Sequence, residues 1–281
     1  MTSFGNLGTA GRPRRLIFTL LGGYWEVLGD WVRLRVLVGL LEDLGLTTKA
    51  ARAATDRLVE QGMLSRERRD GEAGLVFTPA MVARIEQRSR RIFVHREPAR
   101  LVDGWLLVSY SLPESERDRR HLLRSGLEQL GFASMGAGQW LAPAWLKTDV
   151  VELGRNLGVA DQMTLFVGQF EGFGHLRDLV ERCWDLPALG AQYREFVHLQ
   201  GPQLAKLRLA PSVDPLQAYV SYTMALHTWR IMPVLDPSLP AEVLPADWPG
   251  NQAADLFFEL RKLLYPAARE YVEAKLVEPS R

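Results

Sequence analysis

The sequence predicts an α+β fold in which a small sheet-containing part lies between two helix-rich parts. Three observations lead to this prediction. Near the N-terminus, apolar residues recur at helical spacing and are followed by two short strand patterns. In the middle of the chain, strands alternate with amphipathic helices. The last third is again helical, but prolines exclude regular structure over 235–250.

Composition indicates a globular protein of two or three domains with one basic end. The 281 residues are 47% hydrophobic and 24% charged, as in ordinary folded domains. Residues 1–100 contain 17 Lys and Arg against 11 Asp and Glu, whereas the remainder contains 17 against 22. A basic module joined to an acidic body suits a polyanionic partner at one end. A solvated basic face without a partner is the alternative interpretation.

Several classes of protein are not expected. The single cysteine, Cys183, excludes an internal disulfide framework and a cysteine-rich zinc site. Apolar stretches such as 16–25 are too short to span a bilayer, and residues 1–11 lack the charge and apolar order of a signal peptide. We therefore expect a cytoplasmic protein with no membrane partner, which begins with a flexible arm over residues 1–13.

The next segment, residues 14–83, follows the order helix, turn, helix. Gly45 suits the C-cap of a helix, because a left-handed backbone costs glycine no Cβ clash. Thr47 or Thr48 then suits the N-cap of the next helix. The three helices predicted from apolar spacing are 14–25, 31–43 and 48–61.

A β-hairpin is predicted directly after the third helix, from strands 63–68 and 74–78 with a turn over 69–72. A hairpin in this place is a wing, so residues 14–83 are interpreted as a winged helix-turn-helix whose third helix enters the major groove of DNA. The alternative is a helical hairpin with an incidental basic loop. The residues expected to contact DNA lie on the exposed side of that helix and on the wing: Thr48, Lys49, Arg52, Asp56, Arg57, Arg68 and Arg69.

A basic linker or solvated helix, residues 84–100, is expected to lead into a second domain over 101–175. Its elements follow the order strand, helix, strand, strand, helix, strand, which is that of a ferredoxin-like (βαββαβ) domain. That fold assigns no function by itself, and a dimer interface is its most natural use here. A ribonuclease of this fold is the less favoured alternative, because it requires a carboxylate after the first strand, where this chain has Ser109-Tyr110-Ser111.

The C-terminal part, residues 176–281, is expected to be mostly helical, and no part of the chain carries an enzyme motif. No GxSxG, GxxxxGK[ST] or strand-linked GxGxxG sequence is present. The five histidines lack metal-ligand spacing: His95, His121, His175, His198 and His227. We therefore predict no catalytic residue, no metal and no cofactor.

Taken together, these segments resemble the PaaX family of bacterial repressors. The resemblance extends from about Arg14 to Tyr265, and its most specific part is LPADWPG (244–250), because folding physics alone does not demand that pattern of proline and tryptophan. The other segments that carry it are RLIFTLLG (15–22) with Tyr24 and Trp25, AARAATDRL (50–58), WDL (184–186) with Tyr193 and Phe196, and DPSLP (236–240).

The resemblance implies a dimeric repressor of an aromatic-acid catabolic operon that an aryl-CoA thioester, such as phenylacetyl-CoA, releases from its double-stranded operator. Arg230 would neutralise the phosphates of such an effector, and aromatic side chains of the C-terminal part would line its apolar pocket. The candidate effector residues are Trp184, Tyr193, Tyr222, Arg230 and Trp248. Three alternatives stay open: a helical core without a pocket, a regulator that needs no ligand, and an interaction scaffold.

Overall fold

A computed structural model of the chain describes residues 12–93, 99–136, 138–209 and 212–278. The protein has an α+β fold with two small antiparallel sheets, as the sequence predicts. No helix in these ranges is both long and apolar enough to cross a bilayer. Residues 1–11 of the predicted arm and His95 lie outside the described ranges.

The helices and strands follow one another along the chain as two mixed groups and a helical end. The first group comprises α1 (Arg12–Gly23), α2 (Trp25–Leu28), β1 (Trp31–Arg33), α3 (Leu34–Asp43), α4 (Thr48–Glu60), β2 (Leu64–Arg69), β3 (Glu72–Phe77) and α5 (Pro79–Phe93). The second comprises β4 (Trp105–Tyr110), α6 (Arg117–Gln129), β5 (Ala133–Gly136), β6 (Gln139–Pro143), α7 (Lys147–Leu157), β7 (Met163–Gly168) and α8 (Leu176–Cys183). The end comprises α9 (Leu186–Leu209), α10 (Pro215–Trp229), α11 (Met232–Leu235) and α12 (Gly250–Val277).

These elements form two compact units. The first contains the described parts of 1–94, 196–230 and 254–281, and the second contains those of 95–195 and 231–253. The units differ from the predicted division into 14–83, 101–175 and 176–281, because the predicted C-terminal part contributes segments to both of them.

The start of the second predicted helix is the clearest error of the sequence prediction. Trp31–Arg33 form strand β1, which pairs with β3 in a sheet of order β1-β3-β2. Val32 is fully buried between two half-buried neighbours, which is the period of two of a strand. Apolar spacing did not reveal this strand, because its partner β3 lies far along the chain.

Two further expectations are corrected by the helices. α1 begins at Arg12 rather than Arg14. The basic segment 84–91 is a helix, but not a solvated one: α5 packs on α1, and Arg91 is only 8% exposed.

A cluster of tyrosines forms the centre of the first unit. The ring of Tyr24 lies 5.6 Å from that of Tyr219 and 6.0 Å from that of Tyr265, measured between centroids. The hydroxyl of Tyr219 donates to the carbonyl oxygen of Leu40 at 2.8 Å. Helices α10 and α12 therefore complete the core on which α2 and α3 rest.

The second unit is built on a sheet of strand order β5-β6-β4-β7. Leu106 and Val108 of β4 lie in a core with residues of α6 and α7. Their neighbour Trp105 belongs to a separate core that includes Val180 of α8 and Leu239. Successive side chains of a strand point to opposite faces, so both faces of this sheet are covered.

Candidate nucleic-acid interface

The turn between α3 and α4 has the local geometry that its sequence predicts. Gly45 has a φ of 87°, and its N–H donates to the carbonyl oxygen of Glu42 at 2.8 Å. The side chain of Thr47 accepts a hydrogen bond from the N–H of Ala50 at 3.2 Å, which makes Thr47 the N-cap of α4. These two signals fix where one helix ends and the next begins.

Helix α4 has one buried and one exposed face. Ala51, Ala54 and Leu58 are at most 1% exposed, and the helix packs with them against α1, α3 and β2. The opposite face carries the predicted residues Thr48, Lys49, Arg52 and Arg57, all of them exposed. The small alanines let the helices approach closely, so that the basic face points outward.

Strands β2 and β3 form a hairpin with a two-residue turn. Asp70 and Gly71 have φ values of 51° and 79°, the left-handed pair that a type I′ turn requires. Arg69 and Glu72 are the last paired residues, so the turn is tighter than the predicted 69–72 loop. Arg68 is exposed and donates to the carbonyl oxygen of Gly71.

Arg69 is held by other groups of the hairpin and its surroundings. Its guanidinium lies 3.0 Å from a carboxylate oxygen of Asp30 and 2.6 Å from one of Glu67. It also lies 5.5 Å from the ring centroid of Trp31, and the hydrogen bond from Arg69 lowers the pKa of Asp30. A DNA contact by Arg69 stays a prediction, and in the structure this residue ties the hairpin to the start of β1.

An ion pair that the sequence prediction missed connects α4 with the hairpin. Arg66 of β2 lies 2.6 Å from the carboxylate of Asp56, and both side chains are at least half exposed. Asp56 was predicted to face DNA, but its partner Arg66 was not. The alternation of side chains along β2 could have identified Arg66, since it places Arg66 and Arg68 on the same face of the hairpin.

The five predicted effector residues belong to different units. Trp184, Tyr193 and Trp248 lie in the second unit, where they make core contacts. The indole of Trp184 donates to the carbonyl oxygen of Gly131 at 2.9 Å, and the ring centroids of Tyr193 and Trp248 are 5.8 Å apart. Their arrangement fits the alternative in which these aromatic residues build a core.

Tyr222 and Arg230 lie in the first unit. Tyr222 is fully buried against Tyr265, with 5.2 Å between the ring centroids. Arg230 donates from Nε to the hydroxyl of Thr19 at 2.8 Å, and this hydroxyl also lies 2.8 Å from Nδ1 of His227. The described ranges contain no group of three or more His, Cys, Asp or Glu side chains that is placed to hold a metal.

Comparison with known families finds three matches along the chain. Residues 12–75 match the family described as PaaX-like protein. Residues 98–180 match the PaaX protein central Cas2-like domain, and residues 184–274 match the PaaX-like protein C-terminal domain. The three matches follow one another and together cover most of the sequence.

Two individual proteins are similar over nearly the whole chain. The transcriptional repressor PaaX of Escherichia coli (strain K12) is 29% identical over 268 residues, which are 92% of this chain and 83% of the repressor. The solved structure of the uncharacterized protein Rv0674 from Mycobacterium tuberculosis aligns with a TM-score of 0.52 and 21% identity, over 92% of this chain and 97% of that one. The second likeness concerns the fold alone.

Proposed function

Because the chain belongs to the PaaX-like family, whose members are transcriptional repressors and not enzymes, we propose that it represses transcription by binding double-stranded DNA through residues 14–83. The observation that carries this proposal is the basic exposed face of α4, which stands on a buried alanine face and is followed at once by a tight hairpin. We interpret this arrangement as a winged helix-turn-helix.

The proposed contacts divide between base reading and phosphate binding. Lys49, Arg52 and Thr48 occupy the exposed first turns of α4, the part of a recognition helix that reaches base edges. Arg57, Arg66 and Arg68 would bind phosphates, which position the protein without reading sequence.

The second unit is proposed to form a homodimer through a ferredoxin-like domain. Its order β4, α6, β5, β6, α7, β7 supports that fold. Strand β7 lies at one edge of the sheet and exposes 61% of Phe166 and 51% of Val167. An unpaired apolar edge is an unusual surface for a monomer, and its pairing with a second copy would cover it.

The proposed operon is one of aromatic-acid catabolism, and the proposed effector is an aryl-CoA thioester of the phenylacetyl-CoA kind. This part of the proposal depends on the family resemblance. A regulator that needs no ligand, or a scaffold that binds protein through its basic unit, are the competing functions.

Fluorescence anisotropy with the DNA upstream of its own gene tests the central claim. We expect the affinity to fall with salt, with a slope of log K against log salt of about −0.9 for each phosphate contact. Arg52→Ala should weaken binding by about 1–3 kcal/mol if Arg52 reads a base. Arg155→Ala is the matched control, because Arg155 is an exposed arginine of the second unit.

Three results would count against parts of the proposal. Binding that is undetectable or insensitive to salt would contradict DNA recognition. A footprint without two-fold symmetry would contradict the dimer. Thermal shifts that are the same with and without acyl-CoA thioesters would favour a ligand-independent regulator, since a ligand that binds the native state raises its stability.

A further inference from the structure

A cleft in the first unit lies between α1, α5 and the end of α10. It measures about 400 Å³ when the space open to solvent is counted, and its closed interior is small, about 30 Å³. Its apolar walls include Phe18, Ile92 and Leu226. Small-molecule sites are likewise concave and mostly apolar with a few polar groups.

Three arginines share this cleft. Arg84 and Arg88 are four residues apart on α5 and therefore lie on one face of that helix, and Arg230 follows α10. All three are partly buried. The guanidinium carbon of Arg84 lies 5.4 Å from the ring centroid of Phe18, while its Nε atom is buried without a hydrogen-bond partner.

No carboxylate of the described residues forms an ion pair with these three guanidinium groups. Arg230 donates to the hydroxyl of Thr19 at 2.8 Å and to the carbonyl oxygen of Arg15 at 3.1 Å, and both of these acceptors are uncharged. Within the described residues, three positive charges thus line one cleft and none of them is paired with a carboxylate.

The electrostatic cost of this arrangement is visible at each arginine. Burial, and after it the charges of Arg88, Arg15 and Arg84, together lower the pKa of Arg230 to about 10. The pKa values of Arg84 and Arg88 are also lowered, first by burial and then by a neighbouring arginine. All three stay charged at neutral pH, so their repulsion persists unless an anion enters.

We propose that this cleft binds a small organic anion, with its carboxylate or phosphate held by Arg84, Arg88 and Arg230 and a flat apolar body against Phe18 and Leu226. Guanidinium groups suit this task, because their fixed fork of donors matches the two oxygens of such an anion. The closed interior is too small for a ring, so the apolar body would lie in the open part of the cleft, against Phe18 and Leu226.

Because of where the cleft lies, an anion bound in it would also affect DNA binding. Only this effect on DNA binding rests on the proposed function. Helix α1 forms one wall of the cleft and also packs on α4. An anion between α1, α5 and α10 would bias the position of α1, and through it the basic face of α4.

The binding test uses the full chain and two pairs of ligands, each with a control that lacks either the charge or the rings. Isothermal titration calorimetry compares 2-naphthoate with 2-naphthylmethanol, which has the same rings and no carboxylate. Naphthyl phosphate, with inorganic phosphate as its ring-free control, distinguishes the two sources of negative charge. We expect each ring-bearing anion to bind at least tenfold more tightly than the uncharged alcohol and than inorganic phosphate.

Substitutions test whether the anion binds in the cleft. Arg88→Met and Arg230→Met should each weaken binding of the ring-bearing anion at least tenfold, whereas Arg269→Met, an exposed residue of α12 paired with Glu273, should not. Arg88→Met should keep or raise the melting temperature without ligand, because it removes a partly buried charge. Arg88→Lys keeps the charge but lacks the fork of donors, and it should bind with intermediate affinity. It replaces Arg88→Met in the test if the methionine variant does not fold.

Two results would overturn the proposal: ring-bearing anions that bind no better than the alcohol, and equal binding to wild type and to the Arg88 and Arg230 variants. The DNA arm is separate. If 2-naphthoate binds in the cleft but leaves operator affinity unchanged, the site stands and its regulatory consequence fails. If the protein binds no DNA at all, the proposed function fails and the calorimetry still decides the cleft.

Discussion

At Gly74, the indole of Trp31 lies directly against the backbone of β3. A Cβ atom at this position would lie 2.2 Å from Cε2 of Trp31, far inside van der Waals contact. The indole would have to leave its place beside Arg69, and the base of the hairpin would lose its packing. We therefore expect Gly74→Ala to lower the free energy of unfolding by about 1–3 kcal/mol, measured by urea denaturation.

Gly39→Ala is the control at the same scale. Gly39 lies inside α3, and a Cβ atom there meets nothing within 4 Å. Alanine should raise stability by about 0.5–1 kcal/mol, because it is the better helix former. If Gly74→Ala were as stable as wild type, the close approach of Trp31 would not be a constraint on this position.

At the scale of elements, the ion pair between Asp56 of α4 and Arg66 of the hairpin is exposed, so it stabilises the fold little. Asp56→Asn removes a negative charge from the proposed DNA face and releases Arg66. We expect operator affinity at low salt to rise by about threefold, or ~0.6 kcal/mol, while stability changes by less than about 0.5 kcal/mol. A loss of affinity would instead favour Asp56 as a direct DNA contact, as the sequence alone suggested.

The sequence predicts an element well when residues close to it in the chain determine its structure, and poorly when distant residues do. The end of α3 and the start of α4 were predictable, because Gly45 and Thr47 act on their own neighbours. β1 was not, because its strand character comes from pairing with β3. The arginine cleft was not either: Arg230 was recognised as a candidate, but its neighbours Arg84 and Arg88 come from a distant segment that resembled a solvated linker.

At the scale of the whole molecule, the proposed DNA-binding segment is not a self-sufficient domain. Tyr24 is fully buried, and the rings that surround it come from α10 and α12. Tyr271 of α12 adds a hydrogen bond of 2.8 Å from its hydroxyl to the carboxylate of Asp43, at the end of α3. The C-terminal helices thus support the helices on which α4 rests.

This dependence predicts that a fragment of residues 1–100 will not unfold cooperatively. Without α10 and α12, the faces of α1 and α3 that surround Tyr24 become exposed, and a small fragment has little other core to offset the loss. Thermal unfolding followed by circular dichroism compares the fragment with the full chain. A cooperative transition near that of the full chain would contradict the prediction and restore an independent N-terminal domain.

In the full chain, Tyr219→Phe should lower the free energy of unfolding by about 1 kcal/mol, because it removes the buried donor to Leu40. Tyr110→Phe is its control, since the Tyr110 hydroxyl forms no hydrogen bond with any residue in the described ranges. Equal stability of the two variants would mean that this buried bond adds nothing to the connection between α10 and α3.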